Sequence, residues 1–205
     1  MKRYVKQKYQ KPGEVYLGCV HRLDRPVGGL VALARTSKAA SRLSEQLRSH
    51  AMRREYLAVV SGEIAEAGEL RDWLLKGDTV TVVPRGTPEA QEAVLRWRRL
   101  DVVGGDALVL VQLETGRKHQ IRVQLAHAGH PIKQDLRYGQ GKPGEPIALW
   151  GAMLTLEHPT RRERMMFVSP PRGKAFAPFA DTIDRLLHAA QSPEKESTDE
   201  SEFQV

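Results

Sequence analysis

The segment His21-Arg22-Leu23-Asp24-Arg25-Pro26-Val27-Gly28-Gly29 directly follows the apolar residues 15–20. The apolar residues predict a buried strand, and the two glycines predict a break that lets another backbone or an extruded nucleotide approach closely. Asp24 lies between two arginines at this change from strand to loop. Neighbouring cations favour the ionised carboxylate, which can act as a nucleophile or a base. A charged, solvated loop is the alternative interpretation.

A second polar segment, Gly116-Arg117-Lys118-His119-Gln120-Ile121-Arg122, combines three cations with two hydrogen-bonding side chains. It opens a predicted helix over residues 119–128, whose buried side is formed by Ile121, Leu125 and Ala128. Phosphates can bind both the cations and the start of the helix. Arg122 lies at the edge of the buried side, so it can point at the carboxylate that a buried arginine requires. A basic helix on the protein surface is the alternative here.

Apolar periodicity and turn signals predict the remaining elements. Two further helices are expected, one from Thr36 or Ser37 to about Ser49 and one over residues 179–189. Strands are predicted at residues 15–20, 56–61, 93–103, 107–113, 149–156 and 165–168, with a hairpin turn at residues 104–106. Many strands, few helices and no strict alternation indicate an α+β fold with a mixed, largely antiparallel sheet flanked by helices.

The chain has 205 residues, and we interpret residues 1–190 as one domain and residues 191–205 as a disordered acidic tail. The last fourteen residues hold five acids and one lysine, so the other 191 carry 31 Lys and Arg against 20 Asp and Glu, a net charge of +11. Such a basic body attracts phosphates, which makes nucleic acid the favoured partner class.

Cysteine content and hydropathy bear on the cellular compartment. The single cysteine, Cys19, cannot form an internal disulfide, and its apolar neighbours predict a buried side chain in a reducing compartment. No apolar run approaches the roughly 20 residues that span a bilayer. We therefore expect a cytoplasmic protein with no membrane partner, and a monomer because no heptad pattern is visible.

Two long motifs, with a tyrosine between them, resemble the RluA-type family of RNA pseudouridine synthases. The first motif covers residues 15–25 and continues at residues 34–40, and the second covers residues 116–125 and 129–132. Tyr56 opens the intervening strand. Order and spacing match the family over roughly residues 8–171, which makes the resemblance highly specific.

The resemblance implies roles for individual residues. Asp24 is the implied catalytic aspartate, Tyr56 the aromatic ring that packs on the target base, and Arg122 the arginine that pairs with Asp24. Substrate-binding roles are expected for His21, Arg22, Arg117, His119 and Gln120. The implied reaction isomerises specific uridines to pseudouridine in structured rRNA or tRNA, after the target base is flipped out of its helix or loop.

We expect neither a metal nor an organic cofactor. His119, His127 and His130 are close in sequence, but His119 and His127 would lie two helical turns, about 12 Å, apart. No phosphate-binding glycine loop or dinucleotide fingerprint is present.

The sequence departs from the family pattern in ways that leave an alternative open. The family's first strand segment, which contains a Lys-Pro step, is missing before Tyr4, so the sheet is expected to lack an edge piece. Unusual residues also stand at 28–29, 133–135 and 149–151. The alternative is a catalytically silent RNA-binding protein of the same fold. A hydrolase would need a second acid near Asp24, and Glu55 should face the other side of its strand.

Overall fold

The computed structural model describes residues 1–191. Its helices are α1 (Lys2–Lys8), α2 (Ser37–Arg48), α3 (Gln120–His127) and α4 (Ala180–Gln191), with a 3₁₀ helix at Lys174–Phe179. Its strands are β1 (Gly18–Cys19), β2 (Gly28–Gly29), β3 (Leu33–Ala34), β4 (Arg53–Ser61), β5 (Ala67–Lys76), β6 (Val80–Val83), β7 (Gln91–Val103), β8 (Asp106–Leu113), β9 (Leu149–Glu157) and β10 (Arg164–Val168). Apart from Gln191, which ends α4, the predicted acidic tail lies outside the described residues.

The strands form one large mixed sheet, which confirms the predicted α+β fold. Seven strands follow the order β10-β9-β4-β8-β7-β5-β6, and all of these neighbours are antiparallel. The eighth strand, β2, adds to β9 in parallel. The small strands β1 and β3 form a separate antiparallel pair. No helix among residues 1–191 is long and apolar enough to cross a membrane.

The predicted strand at residues 15–20 is wrong for most of its length. Only Gly18–Cys19 forms a strand, and Tyr16 and Cys19 are exposed. Val15 is buried, but the short strand after it pairs with β3 and not with the main sheet. The apolar run is therefore not a strand of the main sheet. Cys19 is therefore not the buried residue that its neighbours predict.

Local signals predict the boundaries of several other elements well. Thr36 caps α2 by accepting a hydrogen bond from the Ala39 amide at 3.1 Å. Gly104 and Gly105 turn β7 into β8 with φ values of 63° and 80°, which suit a two-residue hairpin turn. Helix α3 ends one residue earlier than predicted, so Ala128 is exposed and not part of the buried side.

Glycines 28 and 29 fix the Asp24 loop to the sheet. A Cβ on Gly28 would lie 2.1 Å from the Trp150 ring, and one on Gly29 would lie 2.3 Å from the Gly151 carbonyl oxygen. The close approach that the glycines predicted is thus made by β9 of the same chain. Any side chain here would push the loop away from β9.

Candidate active site

The two polar segments meet at one cleft of about 820 Å³. The Asp24 loop forms one wall, the residues before and within α3 form another, and Tyr56 of β4 lies between them. All eight predicted site residues line this cleft: His21, Arg22, Asp24, Tyr56, Arg117, His119, Gln120 and Arg122. The structure therefore brings together residues that are up to 101 positions apart in the chain, from His21 to Arg122.

Arg122 pairs with Asp24, as the sequence predicted. Its Nη1 lies 3.3 Å from Asp24 Oδ2. The Asp24 side chain is 23% exposed while that of Arg122 is only 6% exposed, so the carboxylate faces the cleft and the guanidinium is held behind it. Asp24 is thus oriented from the protein side and accessible from the solvent side.

A second carboxylate, which sequence reasoning missed, holds Arg122 more tightly. Asp135 has a fully buried side chain and accepts hydrogen bonds from Arg122 Nε and Nη2, both at 2.7 Å. The backbone amides of Arg137 and Tyr138 also donate to Asp135, at 2.9 and 3.2 Å. Burial alone would raise the pKa of Asp135, but the hydrogen bonds from Arg122 and these amides hold that pKa below its usual range.

The charge balance follows from this arrangement. Asp135 neutralises the buried guanidinium through two parallel hydrogen bonds, which is the strong geometry for this pair. Arg122 then uses its remaining nitrogen to fix Asp24. Asp135 is therefore a positioning residue, which acts on Asp24 through Arg122.

Tyr56 forms the floor of the cleft. It is only 6% exposed, and its neighbours in the cleft include Leu23 and Leu149. Burial raises the pKa of its hydroxyl, and the positive charge of the nearby Arg54 opposes that shift. Its ring remains a neutral apolar surface at neutral pH, which suits stacking against a base.

Arg54 is a further cation of the cleft that the motifs did not indicate. Its Nη2 donates to the Thr115 carbonyl at 3.5 Å, and burial lowers its pKa. A Cβ at Gly116 would lie 2.7 Å from Arg54 Nη1, so the glycine leaves room for this guanidinium between β4 and the second motif.

His21 is held as a neutral ring at the base of the Asp24 loop. Its Nε2 accepts a hydrogen bond from the Ala32 amide at 3.0 Å, and its Nδ1 is buried with no partner among residues 1–191. Burial, together with the charge of Arg54, lowers the pKa of His21 from 6.5 to about 4. The contact ties the start of the loop to the segment before β3.

We predict that His21 makes folding stability depend on pH between about 4 and 6.5. Because the pKa of His21 is lower in the folded protein, the unfolded chain binds a proton at a higher pH than the folded protein does. The contribution of the neutral ring to the free energy of unfolding is therefore complete above pH 6.5 and is lost as the pH falls to 4. The loss is on the order of 2 kcal/mol for a ring that solvent partly reaches. His21→Gln keeps an acceptor for the Ala32 amide but cannot titrate. The free energy of unfolding, measured with urea at several pH values, should therefore vary less with pH for the variant than for the wild type. The same pH dependence in both proteins would contradict the assignment.

Gln120 organises the turn before α3. Its Oε1 accepts from the Thr115 hydroxyl at 2.7 Å and from the Arg117 amide at 2.9 Å, and its Nε2 donates to the Val94 carbonyl at 3.0 Å. The side chain is buried. The guanidinium of Arg117 in turn donates to the Glu92 carbonyl at 2.9 Å, so the turn is fastened to β7.

His119 faces the cleft and is braced from behind by Tyr138. His119 Nδ1 and the Tyr138 hydroxyl share a hydrogen bond of 2.8 Å, and the same hydroxyl accepts from the Val80 amide at 3.2 Å. The hydrogen-bond partner of His119 thus lies outside the second motif. Burial lowers the pKa of His119, against the opposing charge of Asp24. The Tyr138 ring also lies under Arg122, with the guanidinium 5.2 Å from the ring centroid.

The cleft is strongly cationic. Among residues 1–191, its lining includes the two carboxylates Asp24 and Glu114 and a larger set of cations: Arg22, Arg25, Arg48, Arg54, Arg117, Lys118 and Arg122. No group of three His, Cys, Asp or Glu side chains in these residues is placed to hold a metal ion. A site of this charge suits a polyanion that brings a reacting group to Asp24.

The chain is similar to known proteins over most of its length. It is 32% identical over 202 residues to ribosomal large subunit pseudouridine synthase D of Haemophilus influenzae, which covers 91% of this chain and 60% of that protein. It is 39% identical over 169 residues to an uncharacterized RNA pseudouridine synthase of Chloroflexus aurantiacus, covering 77% of this chain and 51% of the relative. The chain thus spans about half to three-fifths of the length of these relatives.

The fold also matches a solved structure. Human RNA pseudouridylate synthase domain containing 4 superposes with a TM-score of 0.73 over 90% of this chain and 81% of that one, at 24% identity. The family model for RNA pseudouridylate synthase matches residues 1–127, a stretch that contains the Asp24 loop, Tyr56 and Arg122. This match confirms the resemblance drawn from the two motifs, and the chain belongs to the RNA pseudouridylate synthase family.

Proposed function

We propose that this protein isomerises uridine to pseudouridine in structured RNA, with Asp24 as the catalytic group. The observation that carries the proposal is the placement of a cleft-facing Asp24 carboxylate on the Arg122–Asp135 pair beside the Tyr56 ring. Family membership supports the reaction, and the cationic cleft supports the substrate class.

The reaction needs four bond changes that a single carboxylate can serve. The bond from N1 of uracil to the ribose C1′ breaks, and a bond from C5 to C1′ forms. The proton on C5 is lost and N1 gains one, so the product is an isomer of the substrate. Asp24 can add to the sugar or the base, or take a sugar proton, and each route uses the ionised carboxylate that Arg122 stabilises.

The detached base must turn over without leaving the site. Tyr56 offers a buried ring on which uracil can stack while no glycosidic bond holds it. Arg22, Arg117 and His119 line the same cleft, where they can bind phosphates or uracil oxygens. Gln120 supports this wall through the Thr115 turn, and His21 supports the Asp24 loop.

The target nucleotide must leave its helix or loop to enter the cleft. A uracil that is stacked in a helix cannot contact both Asp24 and the Tyr56 ring, so the uridine is flipped out at a cost of a few kcal/mol. Ribosomal RNA is the first substrate to test, because the H. influenzae relative is named as a ribosomal large subunit enzyme. Transfer RNA is the second, and we propose that the protein acts as a cytoplasmic monomer without a cofactor.

Release of tritium from RNA labelled at C5 of uridine tests the proposal, because the C5 proton is lost in the isomerisation. We expect the wild-type protein to release tritium from ribosomal or transfer RNA. RNA binding without release would favour the catalytically silent RNA-binding protein instead. Mapping pseudouridine in RNA from cells with and without the gene would then identify the position.

A further inference from the structure

A second cationic surface lies near the start of helix α2, whose other end lines the cleft. Residues 1–16 contain five Lys or Arg and one acid, Glu14. Three of the five tyrosines of the chain are exposed there: Tyr4 by 53%, Tyr9 by 43% and Tyr16 by 48%. Helix α1 is held against the body through the buried Val5, which leaves its basic and aromatic side chains on the outside.

These side chains form stacked pairs of cations and rings. The Arg35 guanidinium lies 3.7 Å from the centroid of the Tyr9 ring. The Lys8 amine lies 5.4 Å from the Tyr4 ring and 5.9 Å from the Tyr9 ring, and it donates to the Tyr4 hydroxyl at 3.0 Å. We call Tyr4, Lys8, Tyr9, Tyr16 and Arg35 the tyrosine patch.

We propose that the tyrosine patch binds single-stranded RNA that flanks the target uridine. This inference rests on the proposed function, since it assumes that RNA occupies the cleft. Alternating cations and exposed rings are what single-stranded nucleic acid requires, because cations bind the phosphates and rings stack on the bases. A partner attracted by charge alone would not need three exposed tyrosines.

Helix α2 connects the two surfaces. Arg35 and the capping residue Thr36 lie at its start, whereas Arg48 near its end lines the cleft. Lys38 and Arg42 are exposed between them. Twelve residues at 1.5 Å each give about 18 Å, or roughly five nucleotides at 3.4 Å per step. An RNA with its uridine in the cleft therefore reaches the patch only if its flanking strand covers at least about 18 Å.

The length dependence of RNA affinity tests the proposal. We would measure fluorescence anisotropy of labelled oligouridylates of about 4 and about 15 nucleotides with the full chain, lengths that fall below and above the span of roughly five nucleotides. The wild type should gain about tenfold more affinity from the added length than a Tyr9→Ala, Arg35→Ala double variant, because one stacking site is lost. The slope of log affinity against log salt for the long probe should also fall by about 0.7 for each phosphate contact removed.

Matched variants separate the patch from general charge effects. Arg85 also lies beside a ring, 5.3 Å from that of Trp73, but next to β5 and β6 at the opposite end of the sheet. Arg85→Ala should keep the full gain with length, and Tyr9→Phe should keep it as well. Thermal unfolding of each variant checks that the exposed substitutions leave the fold intact.

The outcomes distinguish this inference from the proposed function. An equal gain with length in the wild type and the double variant overturns the patch, even if tritium release shows an active enzyme. A double variant that loses only binding to vesicles of anionic phospholipid overturns it too, in favour of a lipid surface. A wild type that binds neither probe and releases no tritium contradicts the proposed function itself.

Discussion

Asp24→Asn should reduce tritium release from C5-labelled RNA by at least about 1,000-fold, because it removes the proposed catalytic carboxylate. Asparagine has nearly the same shape, and its Oδ1 can still accept a hydrogen bond from Arg122 Nη1. It cannot act as a nucleophile or a base. RNA affinity should survive, since the cations that line the cleft are unchanged.

A matched control for this substitution is Asp106→Asn. Asp106 pairs with Lys133 at 3.0 Å, and both side chains are partly exposed and away from the cleft. Its activity should stay near that of the wild type. Equal tritium release by the wild type and Asp24→Asn would refute the role of Asp24, whatever the control shows.

Asp135→Ala should lower the free energy of unfolding by about 3 kcal/mol, because it leaves a buried guanidinium without its main partner. The variant loses two hydrogen bonds from Arg122, and two backbone amides lose their acceptor. Asp24 retains one contact with Arg122, which limits the loss. Urea unfolding at neutral pH measures the change.

Asp106→Ala gives the comparison for a surface ion pair. Its side chain is 29% exposed and its partner Lys133 is 36% exposed, so the expected loss is below about 1 kcal/mol. If Asp135→Ala cost no more than Asp106→Ala, the claim that Asp135 stabilises the buried arginine would be wrong.

The candidate site was more predictable from sequence than the edges of the fold. Asp24 and Arg122 lie in the two motifs and Tyr56 lies between them, and the structure brings all three to one cleft. Helix α1 and strand β5 were missed because their residues mix charged and apolar side chains without a clear period, and strand β6 was missed because it is only four residues long. Their burial depends on neighbours that are distant in the chain.

Asp135 shows what sequence reasoning could not resolve. In the sequence it stands out only for its unusual neighbours, Lys133 and Gln134, although an arginine predicted at a buried edge already required a carboxylate. Asp24 alone satisfies that requirement when only the sequence is considered. In the structure Asp24 is partly exposed to solvent, and the buried Arg122 has a second, fully buried carboxylate partner in Asp135.

Two of the residues that depart from the family pattern lie against each other in the structure. Gly28 and Trp150 are unusual residues at separate places in the sequence, yet a Cβ on Gly28 would collide with the Trp150 ring. The small residue makes room for the large one, and the Trp150 indole donates to the Ser169 hydroxyl at 3.2 Å. A single sequence gives no sign that the two positions are coupled.

A crystal structure of Asp24→Asn with a bound RNA fragment that contains the target uridine tests the proposed role of Asp24 and Tyr56 by direct observation. We expect that uracil to be unstacked from its neighbours, with its face on the Tyr56 ring and its ribose or base in contact with the substituted side chain at position 24. A fragment that lay along the rim with every base still stacked, and with nothing entering between positions 24 and 56, would contradict it.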